Sequence, residues 1–317
     1  MSKNCGKKCA AKIVFAGTPE FAAYLLEYLI NNGFNLTACI SQPDKAQGRQ
    51  QKIKPSAVKR IAQKHKLPLW QPAKLKDNQE LINQIKSINP DFLVVASYGK
   101  IIPQEILNLF PKGPINVHAS LLPQLRGASP ISAAIIQGFA ETGITIMQMN
   151  EKMDEGSILA QEKVRISQQE TTNSLTEKLK NKAAPLLAVT LGGLCQGKLK
   201  AKEQNHRHAT YCPIIKKKDG EINWQEKSEV IARRIRALNP WPGTFTFWQS
   251  QRLKIMQATE SEKNLPSGKA IVQNQELLIG TGDKSLSIKK LQLAGKKQLT
   301  VEDFLRGYAD RIDGQQF

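Results

Sequence analysis

The fold is decided by Ile115-Asn116-Val117-His118, which continues as Ala119-Ser120-Leu121-Leu122-Pro123-Gln124-Leu125-Arg126-Gly127. Apolar Ile115 and Val117 alternate with polar residues, and this alternation predicts a short β-strand that ends before Pro123 and Gly127. Asn116 and His118 are two residues apart, so an extended strand places their side chains on the same face.

An amide and an imidazole side by side at a strand end form a candidate acyl-transfer site. The amide can hold a developing oxyanion, and the imidazole can move a proton or stabilise charge. Asp154, in the turn Lys152-Met153-Asp154-Glu155-Gly156, can orient and charge the imidazole if the fold brings it close. A structural alternative stays open, since a histidine at a strand end is often only hydrogen-bonded and an aspartate near a glycine often forms a turn.

Short apolar strands alternate with helical patterns from residue 12 to about residue 166. The strand candidates are residues 13–16, 36–41, 92–96, 115–118 and 144–149, and the helical patterns are 20–31, 57–66, 80–88, 104–110 and 130–136. This alternation predicts an α/β fold with a doubly wound, mostly parallel sheet. Ligands bind beyond the carboxyl ends of the strands in such sheets, and His118 lies at one such end while Asp154 follows another.

A helical pattern at residues 174–194 leads into a polar, basic connection. Beyond it, residues 221–224, 244–248, 253–257, 269–272, 277–280 and 286–293 read as short strands between Gly, Asn and Asp turns, and residues 230–238 as a helix. They predict a smaller β-rich domain, most simply a barrel. Since 317 residues exceed the usual size of one domain, we predict a catalytic domain over 1–195, a linker over 196–209 and a C-terminal β-barrel domain over 210–317.

The charge of the chain is strongly unbalanced. It carries 46 basic and 27 acidic residues, a formal net charge of +19, and its pI is near 9.7. Such a surface should attract a polyanion, with nucleic acid as the first candidate and an anionic membrane surface as the second. A generally lysine-rich proteome is the alternative. No stretch is apolar enough to span a bilayer, and no apolar core follows the lysines of residues 1–11, so we predict a cytoplasmic protein that uses no membrane.

Nucleotide and metal motifs are weak in this sequence. The turn Gly17-Thr18-Pro19-Glu20 lacks the further glycines of a dinucleotide fingerprint, which disfavours NAD and ATP. His206, His208 and Cys212 have a loosely metal-like spacing. A second pair of ligands does not accompany them, so a connecting loop is the better interpretation, and we predict no metal.

The whole set of motifs resembles the folate-dependent formyltransferase family, which shares N-V-H-x-S-L-L-P-x-x-R-G followed by an acidic D-x-G turn. The resemblance covers nearly the whole chain, with matches at residues 12–19, 41–49, 142–149, 236–243 and 294–297. The last two matches resemble the branch whose amine substrate is the methionyl group of initiator tRNA. The resemblance implies an enzyme that moves a formyl group from 10-formyltetrahydrofolate to that amine in translation initiation. It also implies that the C-terminal barrel is of the oligonucleotide-binding type.

Matched residue by residue, the resemblance implies catalytic roles for Asn116, His118 and Asp154. It also implies that the loop after His118 binds folate through Ser120, Leu121, Leu122 and Pro123. The alternative is that this loop only positions His118, and both roles can hold. It implies that loop 42–54 approaches the acceptor end of tRNA through Lys45, Arg49, Lys52 and Lys54, of which Arg49 best matches the key arginine of the family. Arg126 stays outside the catalytic set as a loop salt-bridge partner, and we expect a monomer.

Two alternatives stay open. A formyltransferase that acts on a small amine, such as an amino-sugar nucleotide or glycinamide ribonucleotide, would use the same three residues but would leave the basic second domain without a role. A non-catalytic RNA-binding protein on the same fold would make Asn116, His118 and Asp154 dispensable, and their intact presence argues against it.

Overall fold

The chain divides into two compact units in a computed structural model that describes residues 10–47 and 52–317. The first unit runs to Pro130 and adds Glu141–Arg165 and Thr176–Cys212. The second contains Ile131–Ala140, Ile166–Leu175 and Pro213–Phe317. The domain boundaries expected at 195 and 210 stay a prediction.

The secondary structure alternates in the first half of the chain and becomes β-rich in the second. The strands are β1 (Ile13–Gly17), β2 (Leu36–Ile40), β3 (Lys45–Gln47), β4 (Lys52–Lys54), β5 (Leu69–Trp70), β6 (Phe92–Ala96), β7 (Pro114–His118), β8 (Arg126–Gly127), β9 (Glu141–Gln148), β10 (Ile158–Arg165), β11 (Tyr211–Cys212), β12 (Thr244–Trp248), β13 (Gln251–Ser261), β14 (Ala270–Gln273), β15 (Glu276–Gly280), β16 (Ser285–Leu293) and β17 (Leu299–Thr300). The helices are α1 (Glu20–Asn31), α2 (Ala57–Lys64), α3 (Gln79–Ile88), α4 (Gln104–Leu107), α5 (Pro130–Ile136), α6 (Thr172–Cys195), α7 (Ser228–Leu238) and α8 (Val301–Ile312).

The first unit is built on a seven-stranded sheet in the order β10-β9-β7-β6-β1-β2-β5. The strands from β5 to β7 pair in parallel, whereas β9 runs antiparallel to β7 and β10 antiparallel to β9. Every residue of β1 and β6 is buried, as expected for parallel strands with both faces covered. The predicted α/β sheet is therefore confirmed as a mixed, mostly parallel sheet.

The strand β7 lies where parallel pairing changes to antiparallel pairing. On one side its Asn116 pairs in register with Val95 of β6. On the other side Asn116 faces Met147 and His118 faces Thr145 of β9. His118, at the carboxyl end of β7, therefore lies beside the middle of β9, whereas the carboxyl end of β9, which leads into the acidic turn, lies beside Ile115 at the start of β7.

The second unit contains a six-stranded antiparallel sheet in the order β12-β13-β16-β15-β14, with β17 pairing to β16. The predicted barrel is not confirmed, because the pairing of the described strands does not close the sheet on itself. Residues 221–224, predicted as a strand, form an isolated bridge from Glu221 to Phe245 instead. The chain turns there, with the Glu226 amide donating to the Asn223 carbonyl oxygen at 3.1 Å.

A separate hydrophobic core supports this second sheet. Helix α8, which the sequence analysis did not predict, contributes Phe304 and Tyr308, and both rings pack edge-on against Trp248. Of the helices in residues 10–47 and 52–317, none combines the length and the apolar composition needed to cross a bilayer.

Candidate active site

His118 ends β7 and is almost completely buried, with 6% of its surface exposed. Its Nε2 lies 2.9 Å from the carbonyl oxygen of Leu125, which accepts, so this nitrogen carries a proton. Its Nδ1 lies 3.6 Å from Oδ2 of Asp154. The ring is thereby fixed in orientation, with Nδ1 directed towards the carboxylate.

Asp154 lies in the acidic turn after β9 and has a left-handed backbone, with φ of 54°. Its Oδ2 accepts a hydrogen bond from the Gly127 amide at 2.8 Å, and its Oδ1 lies 3.4 Å from Nδ2 of Asn116. The turn packs tightly on β9, since a Cβ on Gly156 would lie 1.8 Å from the Gln148 carbonyl oxygen. The structure therefore brings the three predicted catalytic side chains together.

The contacts of the Asp154 carboxylate divide into one firm and two long ones. The amide of Gly127 donates at normal hydrogen-bond length, whereas the Asn116 and His118 nitrogens lie at 3.4 and 3.6 Å. Both of these nitrogens therefore keep capacity for another partner. Long contacts of this kind are common in an active site before its substrate binds, and they shorten in the complex.

The loop after His118, in which the sequence predicts folate binding, is held by one internal hydrogen bond and by bonds to Thr145 on β9. Ser120 is fully buried and donates its hydroxyl to the Gln124 carbonyl oxygen at 2.6 Å. Thr145 on β9 donates to the Ser120 carbonyl oxygen at 2.7 Å and accepts from the Leu122 amide at 3.1 Å. Leu122 is 3% exposed. Of the four residues, Leu121 and Pro123 are the two that keep partly exposed surface.

Arg126 is a central contact that the sequence analysis underestimated. Its side chain is 1% exposed and pairs with Glu155 of the acidic turn at 3.2 Å. It donates to Oε1 of Gln204 from Nε and Nη2, at 3.2 and 2.8 Å. It also donates to Nδ1 of His206 at 3.0 Å and to the hydroxyl of Tyr211 at 3.3 Å. The expected loop salt bridge is present, but it is buried and belongs to a wider network.

Residues 204–212 belong to the site although they lie far from it in sequence. Strand β11 pairs in parallel with β8, and the Leu125 amide donates to Oγ1 of Thr210 at 2.9 Å. Gln204 donates from Nε2 to the carbonyl oxygens of Asp154 and Gly156, at 2.8 and 2.7 Å. This segment therefore ties the loop after β7 to the acidic turn. A two-residue strand gives too weak a pattern for the sequence to predict.

The close approach of β8 and β11 depends on Gly127, whose φ is +113°. A Cβ at this position would lie 2.3 Å from the carbonyl oxygen of Cys212. Any other residue would therefore push β11 away and displace the amide that donates to Asp154. Gly127 of the sequence motif is therefore required by its positive φ and by the close approach of β11.

Cys212 and His206 have structural contacts rather than the metal-like arrangement considered from the sequence. Burial raises the pKa of the Cys212 thiol, and the thiol donates to the Arg126 carbonyl oxygen at 3.3 Å. Nδ1 of His206 accepts from Arg126. Within the part of the chain that the structure describes, no group of three or more His, Cys, Asp or Glu side chains is arranged to hold a metal ion.

The predicted tRNA-binding loop contains the paired strands β3 and β4. Arg49 lies outside the described residues. Lys45 and Lys54 are register partners in the hairpin and are both exposed, and the main chain of Lys52 pairs with that of Gln47. The loop therefore places two exposed basic residues opposite each other on paired strands.

The base of this hairpin is anchored by Asp44. Lys59 pairs with Asp44 at 2.6 Å and Gln71 donates to it at 2.8 Å. The hydrogen bonds from Lys59 and then Gln71 hold the pKa of the Asp44 carboxyl below its usual range. Gln71 also donates to the Gln42 carbonyl oxygen at 2.9 Å, so the start of the loop has a fixed position.

Comparison with known proteins places this geometry in a family. A family model described as Formyl transferase matches residues 11–191, and one described as Formyl transferase, C-terminal domain, matches residues 214–309. A curated relative, Methionyl-tRNA formyltransferase of Caldanaerobacter subterraneus subsp. tengcongensis, is 42% identical over 299 residues, which cover 94% of this chain and 97% of the relative.

Solved structures share the fold at lower sequence identity. HypX from Aquifex aeolicus in complex with tetrahydrofolic acid matches with a TM-score of 0.65 and 15% identity, and the match covers 97% of this chain but only 49% of HypX. The sugar 3N-formyl transferase WlaRD, in the presence of dTDP and 5-N-formyl-THF, matches with a TM-score of 0.65 and 18% identity over 91% of this chain and 99% of WlaRD. At these identities the likeness shows the fold alone. Because two family models and a curated relative at 42% identity match along the chain, it belongs to the formyltransferase family, in the methionyl-tRNA formyltransferase branch.

Proposed function

We propose that this chain transfers the formyl group of 10-formyltetrahydrofolate to the α-amino group of methionyl-tRNA, the initiator species, and so supports translation initiation. The observation that carries the proposal is the convergence of Asn116 and His118 on the Asp154 carboxylate at the end of β7. A chain with this site and with relatives named methionyl-tRNA formyltransferase is best explained as an enzyme of the same reaction. The donor supplies an activated formyl carbonyl and a nitrogen that leaves.

The three side chains divide the work of acyl transfer. The second N–H of the Asn116 amide is available for the formyl oxygen, where negative charge develops. Since Nε2 of His118 already holds a proton against Leu125, Nδ1 is the atom that accepts a proton from the attacking amine and returns it to the leaving nitrogen. Asp154 faces that Nδ1 and stabilises the ring while it is charged. An α-amine titrates at about 7.7–8.0, so part of it is neutral in the cell.

The residues that border the site fit a folate donor. Leu121 and Pro123 keep partly exposed apolar surface beside polar Asn116 and His118, a combination suited to an aromatic ligand that carries a reactive polar group. Ser120 and Leu122 are buried, with the Ser120 hydroxyl donating to Gln124 within the loop and the Leu122 amide donating to Thr145 on β9, so their contribution is to hold the loop in shape. We propose that no metal takes part.

The tRNA is proposed to bind through the basic hairpin and the second unit. Lys45, Arg49, Lys52 and Lys54 give the hairpin a positive charge that suits the phosphates of an acceptor stem. The long strand β13 has register shifts near Gln257, and such irregularities allow a sheet to curl. We propose that this sheet acts as an incomplete barrel of the oligonucleotide-binding type, in a monomeric, cytoplasmic enzyme.

The functional domain boundary is proposed to fall after Cys212. Residues 204–212 contact the loop after β7 and the acidic turn, so an active-site domain that ended at residue 195 would lack them. The C-terminal domain then begins near residue 213. This proposal moves the expected linker into the catalytic domain.

The proposed function is tested by measuring formyl transfer from 10-formyltetrahydrofolate to methionyl initiator tRNA, free methionine, an amino-sugar nucleotide and glycinamide ribonucleotide. Transfer to methionyl-tRNA is expected to dominate. His118→Ala and Asp154→Asn should each lower turnover by orders of magnitude, and Asn116→Ala by about 10²–10³, while tRNA binding persists. Preferred transfer to a small amine would replace the proposed substrate, and full turnover in a folded His118→Ala protein would remove that residue from the mechanism.

A further inference from the structure

Tyr211 is a large aromatic side chain that stays exposed beside the active site. It is 61% exposed, although its main chain is fixed by the pairing of β11 with β8. Its register partner is Arg126, and the next residue, Gly127, donates its amide to Asp154. Tyr211 therefore lies on the strand next to Arg126 and Gly127, and the Gly127 amide holds the Asp154 carboxylate.

The ring is held in place by its polar end. The Tyr211 hydroxyl accepts a hydrogen bond from Nη1 of Arg126 at 3.3 Å, and Cζ of Arg126 lies 5.9 Å from the ring centroid. Arg126 is itself fixed by Glu155 and Gln204. An exposed ring held by a buried guanidinium has already lost most of its rotational freedom, so binding against its face has a reduced entropic cost.

Positive charge lies next to this ring in the chain. The short 3-10 turn His206–His208 is exposed, and it includes Arg207. Nδ1 of His206 accepts from the same Arg126 that holds Tyr211, so the turn and the ring share one anchor. An aromatic face with an exposed arginine four residues away in the chain suits a nucleotide, since the base can stack on the ring and a phosphate can attract Arg207.

We propose that Tyr211, anchored by Arg126, forms a nucleobase subsite that stacks the terminal nucleotide of the aminoacyl-tRNA. The inference rests on the proposed function, because that function makes the acceptor an amine joined to a nucleotide. In an aminoacyl-tRNA one ester-linked ribose connects the α-amino group to the terminal base. When the amine reaches Nδ1 of His118, the base must therefore lie within one nucleotide's reach of Asp154, the region where Tyr211 lies.

The methionine side chain is the competing occupant of the ring. A thioether also packs well against an aromatic face, but it carries no charge that would use Arg207. A nucleotide can use both the ring and Arg207. The subsite therefore serves the nucleotide, and the methionine side chain is accommodated elsewhere.

The first test measures steady-state formylation by Tyr211→Ala, Tyr211→Phe and Tyr211→Trp. Loss of the ring in Tyr211→Ala should raise KM for methionyl-tRNA on the order of 10- to 100-fold. The KM for 10-formyltetrahydrofolate and the turnover at saturating tRNA should change by no more than a few-fold. Tyr211→Phe and Tyr211→Trp keep a stacking face but lose the hydrogen bond to Arg126, so their KM for methionyl-tRNA should rise by no more than a few-fold. Val189→Ala, which trims a side chain that is 73% exposed on α6, is the matched control.

Tyr211→Phe separates stacking from a purely structural role. It removes the hydroxyl that contacts Arg126 but keeps the ring. If it loses as much as Tyr211→Ala, the hydrogen bond to Arg126 explains the effect and the subsite is refuted. An unchanged KM for methionyl-tRNA in Tyr211→Ala, or an equal rise in both KM values, refutes it as well.

The second test uses minimal acceptors, the methionyl ester of adenosine and the methyl ester of methionine. Wild type should prefer the adenosine ester, and Tyr211→Ala should reduce that preference by on the order of 10-fold or more. An equal loss for both esters would place the methionine side chain on the ring and overturn the proposal. If the wild-type enzyme formylates no methionyl acceptor, the proposed function itself is refuted. If the wild type is active and Tyr211→Ala keeps the same preference for the adenosine ester, only the subsite is refuted.

Discussion

Arg126→Met is the substitution that the structure predicts to be most informative outside the three catalytic candidates. It removes the guanidinium and puts in its place an unbranched apolar side chain that can fill the space of the arginine stem. Glu155, whose side chain is 22% exposed, would then lose its buried cation. Gln204, His206 and Tyr211 would each lose the donor that now reaches them.

The expected cost follows from these contacts. Removal of one partner of a buried ion pair typically costs about 3–5 kcal/mol. Because Glu155 keeps partial access to water, we expect the low end, about 3 kcal/mol. For a unit of this size each kcal/mol lowers Tm by about 2–4 °C, so Tm should fall by about 6–12 °C. Turnover should fall as well, since the loop that carries Leu125 and Gly127 loses its anchor.

Thermal and urea unfolding measure the first effect, and formyl transfer below Tm measures the second. Arg60→Met is the matched control, because Arg60 pairs with Glu20 at the surface, with side chains 54% and 78% exposed. Surface pairs contribute about 0–1 kcal/mol. If Arg126→Met costs no more than Arg60→Met, the buried network does not stabilise the site and the reasoning is wrong.

Three further outcomes are expected. A fragment ending at residue 212 should have a higher urea midpoint than one ending at residue 200, because only the longer one keeps the Gln204 and Thr210 contacts; equal midpoints would contradict the proposed boundary. Asp44→Asn should lower Tm at neutral pH, and since Lys59 holds the Asp44 pKa below its usual value, the difference should persist above about pH 4 and disappear as pH falls further; a difference independent of pH would exclude the ion pair as its cause. Lys52→Ala and Lys54→Ala should weaken all tRNAs alike and reduce the salt dependence of binding, whereas Arg49→Ala should impair transfer to initiator tRNA more than general RNA binding; a parallel loss of binding to every RNA with unchanged saturated turnover would make Arg49 another phosphate contact.

Local patterns were sufficient to predict most of the first sheet. The helices over 20–31 and 130–136 have the predicted bounds, because each begins at a proline-marked turn and carries a clear apolar face. The two-residue spacing of Asn116 and His118 predicted that they share one face of a strand, and the family resemblance implied their catalytic roles. Their approach to Asp154 depends on long-range structure, because the antiparallel pairing starts the acidic turn beside Ile115 at the beginning of β7, and the turn then reaches back to His118 and Asn116. That pairing leaves no mark in the sequence of either strand.

Other features were missed for different reasons. Helix α8 does have a local signal, since Thr300 caps it by accepting from the Asp303 amide and acidic residues fill its first turn. The contacts of Arg126 have no such signal, because Tyr211 lies 85 residues away and reaches it through a two-residue strand. Only the folded chain shows that this arginine is buried and has four partners.

The backbone around His118 explains why so distant a segment is needed. Leu125 and Asp154 both have left-handed φ values, 56° and 54°, which cost about 1–2 kcal/mol for the leucine and less for the aspartate. Leu125 must adopt its conformation for its carbonyl to meet Nε2, and Asp154 for its carboxylate to face Nδ1. Such conformations persist when surrounding contacts determine them more strongly than local preference does. Thr210 holds the amide of Leu125 and Gln204 holds the carbonyl of Asp154, so the segment that appears in sequence to be a linker is what keeps the histidine in its orientation.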